Sequence, residues 1–186
     1  MNETLRRFFL ELDAALVPFA QGQRLDLYHL GRSALVFLYQ ATFSTKDIDV
    51  VQTRTPLEAK AHELFGKNSD KNKELGLYLD LVPQPLPPVA NGFLSRSSEV
   101  LGNWQVIRLW ELEANDLAAT KMRSFRAQDR QDLKFLCDLG VLRPDQLRKS
   151  MTEAWLWEPP DDEQRDAAFA NLQIVIDYLE GRSATL

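Results

Sequence analysis

The chain has 186 residues, 45% of them hydrophobic and 26% charged, which is enough for a sizeable core in one domain with a helical appendage. Its formal charge of −5 argues against nonspecific coating of nucleic acid, though not against a local RNA-facing patch. The longest apolar run, Ala34 to Tyr39, is far short of the roughly 20 residues of a membrane span, and a single cysteine, Cys137, suits a reducing cytoplasm.

Apolar residues at Leu5, Phe8, Phe9, Leu12 and Leu16 recur at helical spacing up to Pro18. Glu3, Glu11 and Asp13 among them mark a first helix rather than a secretory signal. RLDLYHLG reads as a short strand stopped by its glycine, and SALVFLYQ as a buried helix whose first turn is Gly31-Arg32-Ser33. KDIDVVQT is the second strand. TPLEAKAHELFGKN is a helix with Pro56 in its first turn, Leu57, Ala61, Leu64 and Phe65 on one side and Gly66 as its stop.

A third strand is expected from about Leu75 to Val82, ended by Pro83 of the stiff connector PQPLPP. After it come a loop, a hairpin-like pair of short strands and a final strand near Gln105 to Trp110. From Glu113 the pattern is helical, through EANDLAATKMRSF, DRQDLKFLCDLG, RPDQLRKSMTEAWLW and DDEQRDAAFANLQIVIDYLEG. Asp161, Asp162 and Glu163 fall in the first turn of the last helix and Gly181 after its end, both favourable to the helix dipole and caps. The expected fold is therefore a mixed α/β core over residues 1–112, including the first helix, with a helical part over 113–186 packed on it.

Three carboxylates interrupt these strands. Asp47 and Asp49, two residues apart, share one face of a strand with Cα atoms roughly 7 Å apart. Asp80 breaks the otherwise apolar YLDLV. An unpaired charge that loses water costs several kcal/mol, so these positions call for open water or a cation. The Gly31-Arg32-Ser33 turn, between a strand and a helix, can present backbone N–H groups to a phosphate. Carboxylates converging with a phosphate cradle are what metal-dependent nucleotidyl transfer requires.

This ordered set resembles the nucleotidyltransferase fold of the DNA polymerase β superfamily. Within it, GRSAL at 31–35 and STKDIDVV at 44–51 are similar to the Gly-Gly-Ser/Thr-Ala-Leu and T/S-x-Asp-Ile-Asp segments of bacterial minimal nucleotidyltransferases and abortive-infection toxins. The likeness extends through Lys121 and DRQDL at 129–133, and covers about residues 25 to 136. It implies a mixed sheet with flanking helices and a C-terminal helical bundle. Gly31 and Ser33 would bind the triphosphate of an NTP, Asp47 and Asp49 would hold magnesium or manganese, and Asp80 would be a third ligand or a general base. Lys121 would contact the phosphates, with Asp129 nearby. The implied activity moves a nucleotidyl group to a hydroxyl on RNA or protein, in a toxin–antitoxin or phage-defence setting with an antitoxin or other partner protein.

Arg32 departs from the pattern, standing where relatives have a second glycine that lets the backbone approach phosphate. Its guanidinium either serves the phosphates directly or blocks the cradle. The second case describes an inactive nucleotidyltransferase-like domain used as a binding module, with AAFANLQIVIDYL as its apolar interaction face.

Other residues read as structural. His29 and His62 have no metal-ligand spacing; His29 fits a partnered site at a strand end and His62 a solvent-facing helix position. Cys137 fits a buried thiol, and the tryptophans Trp104, Trp110, Trp155 and Trp157 fit cores. Lys121, Arg123, Arg126, Arg130 and Lys134 make either a solvated helical face or a cleft-facing basic strip. In an unbroken helix, Lys121 and Asp132, eleven residues apart, would share a face.

Overall fold

The computed structural model describes residues 2–83, 89–156 and 162–186. Helix α1 (Glu3–Leu16) starts where the Asn2 side chain accepts the N–H groups of Thr4 and Leu5, and it buries the expected stripe of Leu5, Phe8, Phe9, Leu12 and Leu16. Strand β1 (Leu25–His29), helix α2 (Gly31–Leu38), strand β2 (Asp47–Val51) and helix α3 (Pro56–Phe65) follow as expected.

The next stretch differs. Residues Asp70–Leu75 form a short helix, α4, and strand β3 is confined to Tyr78–Val82. Ser69 caps α4 by accepting the Asn72 N–H, and Gly76 closes it at φ 70°, a left-handed conformation that glycine adopts freely. Six residues are too few for helical periodicity to show. Before the final strand β5 (Ile107–Glu111) lie one helical turn, α5 (Phe93–Arg96), and a two-residue strand, β4 (Ser98–Glu99), in place of the expected hairpin-like pair. Helices α6 (Ala114–Ala119), α7 (Ala127–Asp138), α8 (Pro144–Ala154) and α9 (Asp162–Leu179) complete the chain. Residues 84–88 of the proline-rich connector, Trp157 and Asp161 lie outside the described residues.

The five strands form one mixed sheet in the order β3-β2-β1-β5-β4. β1 runs antiparallel to β2 and parallel to β5, β2 runs parallel to β3, and β4 is antiparallel to β5. Alternation assigns Leu25, Leu27, His29, Ile48, Val50, Leu79, Ile107 and Leu109 to one face, all of them buried. Helices α1, α2 and α3 cover that face, with Phe8 edge-on to Phe65 and Phe9 edge-on to His29 and Phe37. The other face carries Asp26, Tyr28, Asp47, Asp49, Tyr78, Asp80, Arg108 and Trp110.

One buried carboxylate locks this arrangement. Asp13 of α1, 3% exposed, accepts the backbone N–H groups of Gln105, Val106 and Ile107 at 2.8–2.9 Å, where the chain enters β5. Removing that acceptor strands three donors, so Asp13→Ala is expected to destabilise the fold by about 2–4 kcal/mol, measured by urea unfolding. A loss under 0.5 kcal/mol would mean that water replaces the carboxylate.

The chain divides into two compact units, Met1–Pro83 with Ser97–Glu111, and Gln84–Arg96 with Leu112–Leu186. The segment ending at Arg96 belongs with the helical unit although it precedes β4 and β5. The cause is a charge network: Arg96 donates to the fully buried Asp116 at 2.8 and 2.9 Å and to Glu153 at 2.7 Å, while Gly92 N–H donates to Glu153 at 3.2 Å. Within the second unit α8 packs on α6 and α9, and α7 on α9. α9 buries Ala168, Leu172, Val175 and Ile176 there, so much of the apolar face expected to meet a partner is used inside the bundle. Among the described residues no helix is long and apolar enough to cross a membrane.

Candidate functional site

Parallel pairing sets Asp49 of β2 directly opposite Asp80 of β3, and Asp47 opposite Tyr78. Paired residues of neighbouring strands point the same way, about 4.8 Å apart. Asp47, Asp49 and Asp80 thus share one face, the one that α1, α2 and α3 leave open. Asp47 is oriented by the Thr45 hydroxyl, 2.9 Å from its Oδ1. The Tyr78 phenol is pushed up by burial and then by Asp47, Asp80 and Asp49 together, so all three carboxylates act on one neighbourhood. Among the described residues no three His, Cys, Asp or Glu side chains converge closely enough to hold a metal ion by themselves.

Gly31 opens α2 at φ 72°, and a Cβ built there would overlap the Asp49 carboxylate, with Cγ only 2.8 Å away. The register explains the contact. Leu30 N–H donates to the Asp49 carbonyl at 2.9 Å, which brings the strand-to-helix turn onto β2. The first turn of α2 has no side-chain cap from Leu30. Arg32 stacks its guanidinium 4.5 Å above the Phe43 ring. Ser33 is fully buried, with Oγ 2.8 Å from His29 Nε2 and 3.5 Å from the Leu30 carbonyl. Its hydroxyl therefore serves the core behind the turn.

Lys121 and Asp129 belong to the second unit. Lys121 is buried and donates to Asp132 at 2.7 Å, their side chains 6% and 1% exposed. α6 stops at Ala119, so the pair forms across a turn and not along the unbroken helix that spacing suggested. Asp129 is buried as a helix cap, its Oδ2 accepting both the backbone N–H and Nε of Arg126 at 3.0 Å. Both residues expected near a nucleotide are engaged in holding α6 and α7. Cys137 is a buried thiol, pushed up to about 12 chiefly by burial.

A family model described as a nucleotidyltransferase of unknown function (DUF6036) matches residues 5–178 of the chain. The chain belongs to this family. No curated protein and no solved structure matches it. The family match takes in most of α1, all of α8 and nearly all of α9, well beyond the stretch from about 25 to 136 that carries the motif resemblance. A nucleotidyltransferase domain implies a nucleotide substrate.

In this family member His29 stands behind the turn. Burial pushes it down to about 3, and its Nδ1 has no hydrogen-bond partner among the described residues. The unfolded chain gains a proton near pH 6.5 that the folded chain refuses down to about 3. Stability from this residue is therefore complete above about pH 6.5 and falls on acidification by at most about 1.4 kcal/mol per pH unit. Glu111, its partner on β5, is raised by burial and acts oppositely, its contribution being lost as pH rises above the usual carboxylate range. Between pH 7 and 5, urea unfolding should show a loss in the wild type to which His29 contributes about 2 kcal/mol, offset in part by Glu111. His29→Leu should largely flatten that difference; an unchanged pH slope would assign it to other groups.

Sequence spacing had not singled out Tyr78, Tyr28 or the site-facing position of Trp110. Strand alternation points to Tyr78, two residues from Asp80; the positions of Tyr28 and Trp110 on this face follow from the pairing of β1 with β2 and β5.

Proposed function

We propose that this chain transfers a nucleotidyl group from an NTP to a hydroxyl on RNA or protein, with magnesium or manganese bound at Asp47 and Asp49 and with Asp80 as a third ligand or the general base. The observation that carries the reading is the Asp49 and Asp80 pair, in register on adjacent strands, with the Cβ-free Gly31 against the Asp49 carboxylate. Magnesium usually takes one or two carboxylates and completes its shell with water and substrate phosphates. Two facing carboxylates with Asp47 one step along fit that donor set, without an all-protein cage. When bound, such a cation would neutralise phosphate charge and polarise the phosphorus being attacked.

The chain's own residues supply the rest. Backbone N–H groups at the start of α2 bind the triphosphate, helped by the helix dipole and by the Arg32 guanidinium. Ser33, through His29 and Leu30, fixes the turn. The acceptor oxygen attacks the α-phosphorus, pyrophosphate leaves, and the hydroxyl proton passes to Asp80 directly or through water. The toxin–antitoxin or phage-defence setting rests on the GRSAL and STKDIDVV segments, and the buried Lys121 and Asp129 are assigned to the architecture of the second unit.

Incubating the protein with magnesium, total RNA and each of four labelled nucleoside triphosphates tests the reading. Label should enter RNA or protein with at least one of them. Absence of both transfer and nucleotide binding under all four conditions would favour the inactive module with Arg32 blocking the cradle instead.

A further inference from the structure

One row along the strands from the carboxylates, the same sheet face turns aromatic. The antiparallel register that pairs His29 with Val50 places Tyr28 opposite Val51 and diagonal to Asp49, about 7–8 Å away. Tyr28 is in turn paired with Trp110 of β5, and the two rings stack with centroids 5.9 Å apart and planes 17° from parallel. Both are only partly buried. The indole is fixed by its Nε1–H, which donates to Asp26 at 2.7 Å, and Asp26 is held by Arg108 at 2.6 Å.

Aromatic pairs of this size normally fill cores, yet the core of this sheet lies on its opposite face, under α1, α2 and α3. This sheet face thus holds a rigid π surface, set in place by an ion pair, at the distance of a sugar from a proposed phosphate and cation site. A nucleotide is the ligand that joins those two chemistries in one molecule.

We propose that Tyr28 and Trp110 form the platform on which the base of the incoming nucleoside triphosphate stacks, an inference that rests on the nucleotidyl-transfer reading above. Stacking accepts any base, because each has a π face. The platform therefore confers affinity for nucleotides over bare phosphate without strong choice among bases.

The test is equilibrium titration of the protein with ATP and with inorganic tripolyphosphate, each with magnesium, using wild type, Tyr28→Leu and Tyr28→Phe. Wild type should bind ATP more tightly than tripolyphosphate. Tyr28→Leu should weaken ATP about tenfold to a hundredfold and leave tripolyphosphate unchanged, while Tyr28→Phe, which keeps the ring, should retain ATP affinity. A Tyr28→Leu protein that unfolds early but binds ATP as wild type does would make the pair a structural cross-strand contact and overturn the platform. Wild type binding tripolyphosphate as tightly as ATP would overturn the platform alone. Failure of wild type to bind either would overturn the phosphate site and the platform with it.

Discussion

Asp49→Asn is expected to abolish nucleotidyl transfer, reducing it about a hundredfold or more. The substitution preserves the shape of the side chain against Gly31 and opposite Asp80 but removes the charge that a hard cation requires. A ligand that binds only the folded state at a hundredfold excess over its dissociation constant stabilises by about 2.7 kcal/mol. For a chain of this size that corresponds to about 5–10 °C in melting temperature. Millimolar manganese with an NTP should therefore raise the wild-type melting temperature by that amount and do little for the variant. Transfer at wild-type rates by Asp49→Asn would refute the assignment of the metal site.

Lys121→Met is expected to act on stability. The Lys121 and Asp132 pair is almost wholly excluded from water, and breaking a buried pair from one side costs about 3–5 kcal/mol because the remaining charge loses its counter-ion. The melting temperature should drop by about 10 °C. Replacing both residues, as Lys121→Met with Asp132→Leu, should recover most of the loss, since a buried pair contributes little over a packed apolar one. A lysine whose main work was binding phosphate would give the opposite pattern, with nucleotide affinity falling and stability nearly intact. Unfolding curves and nucleotide titrations on the same preparations separate the two.

What the sequence by itself determined were the features set by neighbours within a few residues. The helical stripe from Leu5 to Leu16, the punctuation by Gly31, Pro56 and Gly66, and the two-residue period of Asp47 and Asp49 all follow from local backbone geometry. They were enough to outline a mixed sheet with helices and to bring Gly31, Asp47, Asp49 and Asp80 under suspicion together. The six-residue α4 was missed because its caps, Ser69 and Gly76, are its main signal.

Only the tertiary structure decided which distant group meets each charge. Asp49 faces Asp80 because β2 and β3 are parallel and in one particular register, and a one-residue slip would have sent Asp80 to the opposite face. Ser33 went to His29, Lys121 to Asp132 and Asp129 to Arg126, although motif position points Ser33 and Lys121 at phosphate and Asp129 to their neighbourhood. Arg96 drew its segment into the helical unit through Asp116 and Glu153. Strand spacing fixes the side on which a residue stands, but a buried ion or hydroxyl is satisfied by whichever partner folding brings within about 3 Å, and that choice belongs to contacts far apart along the chain.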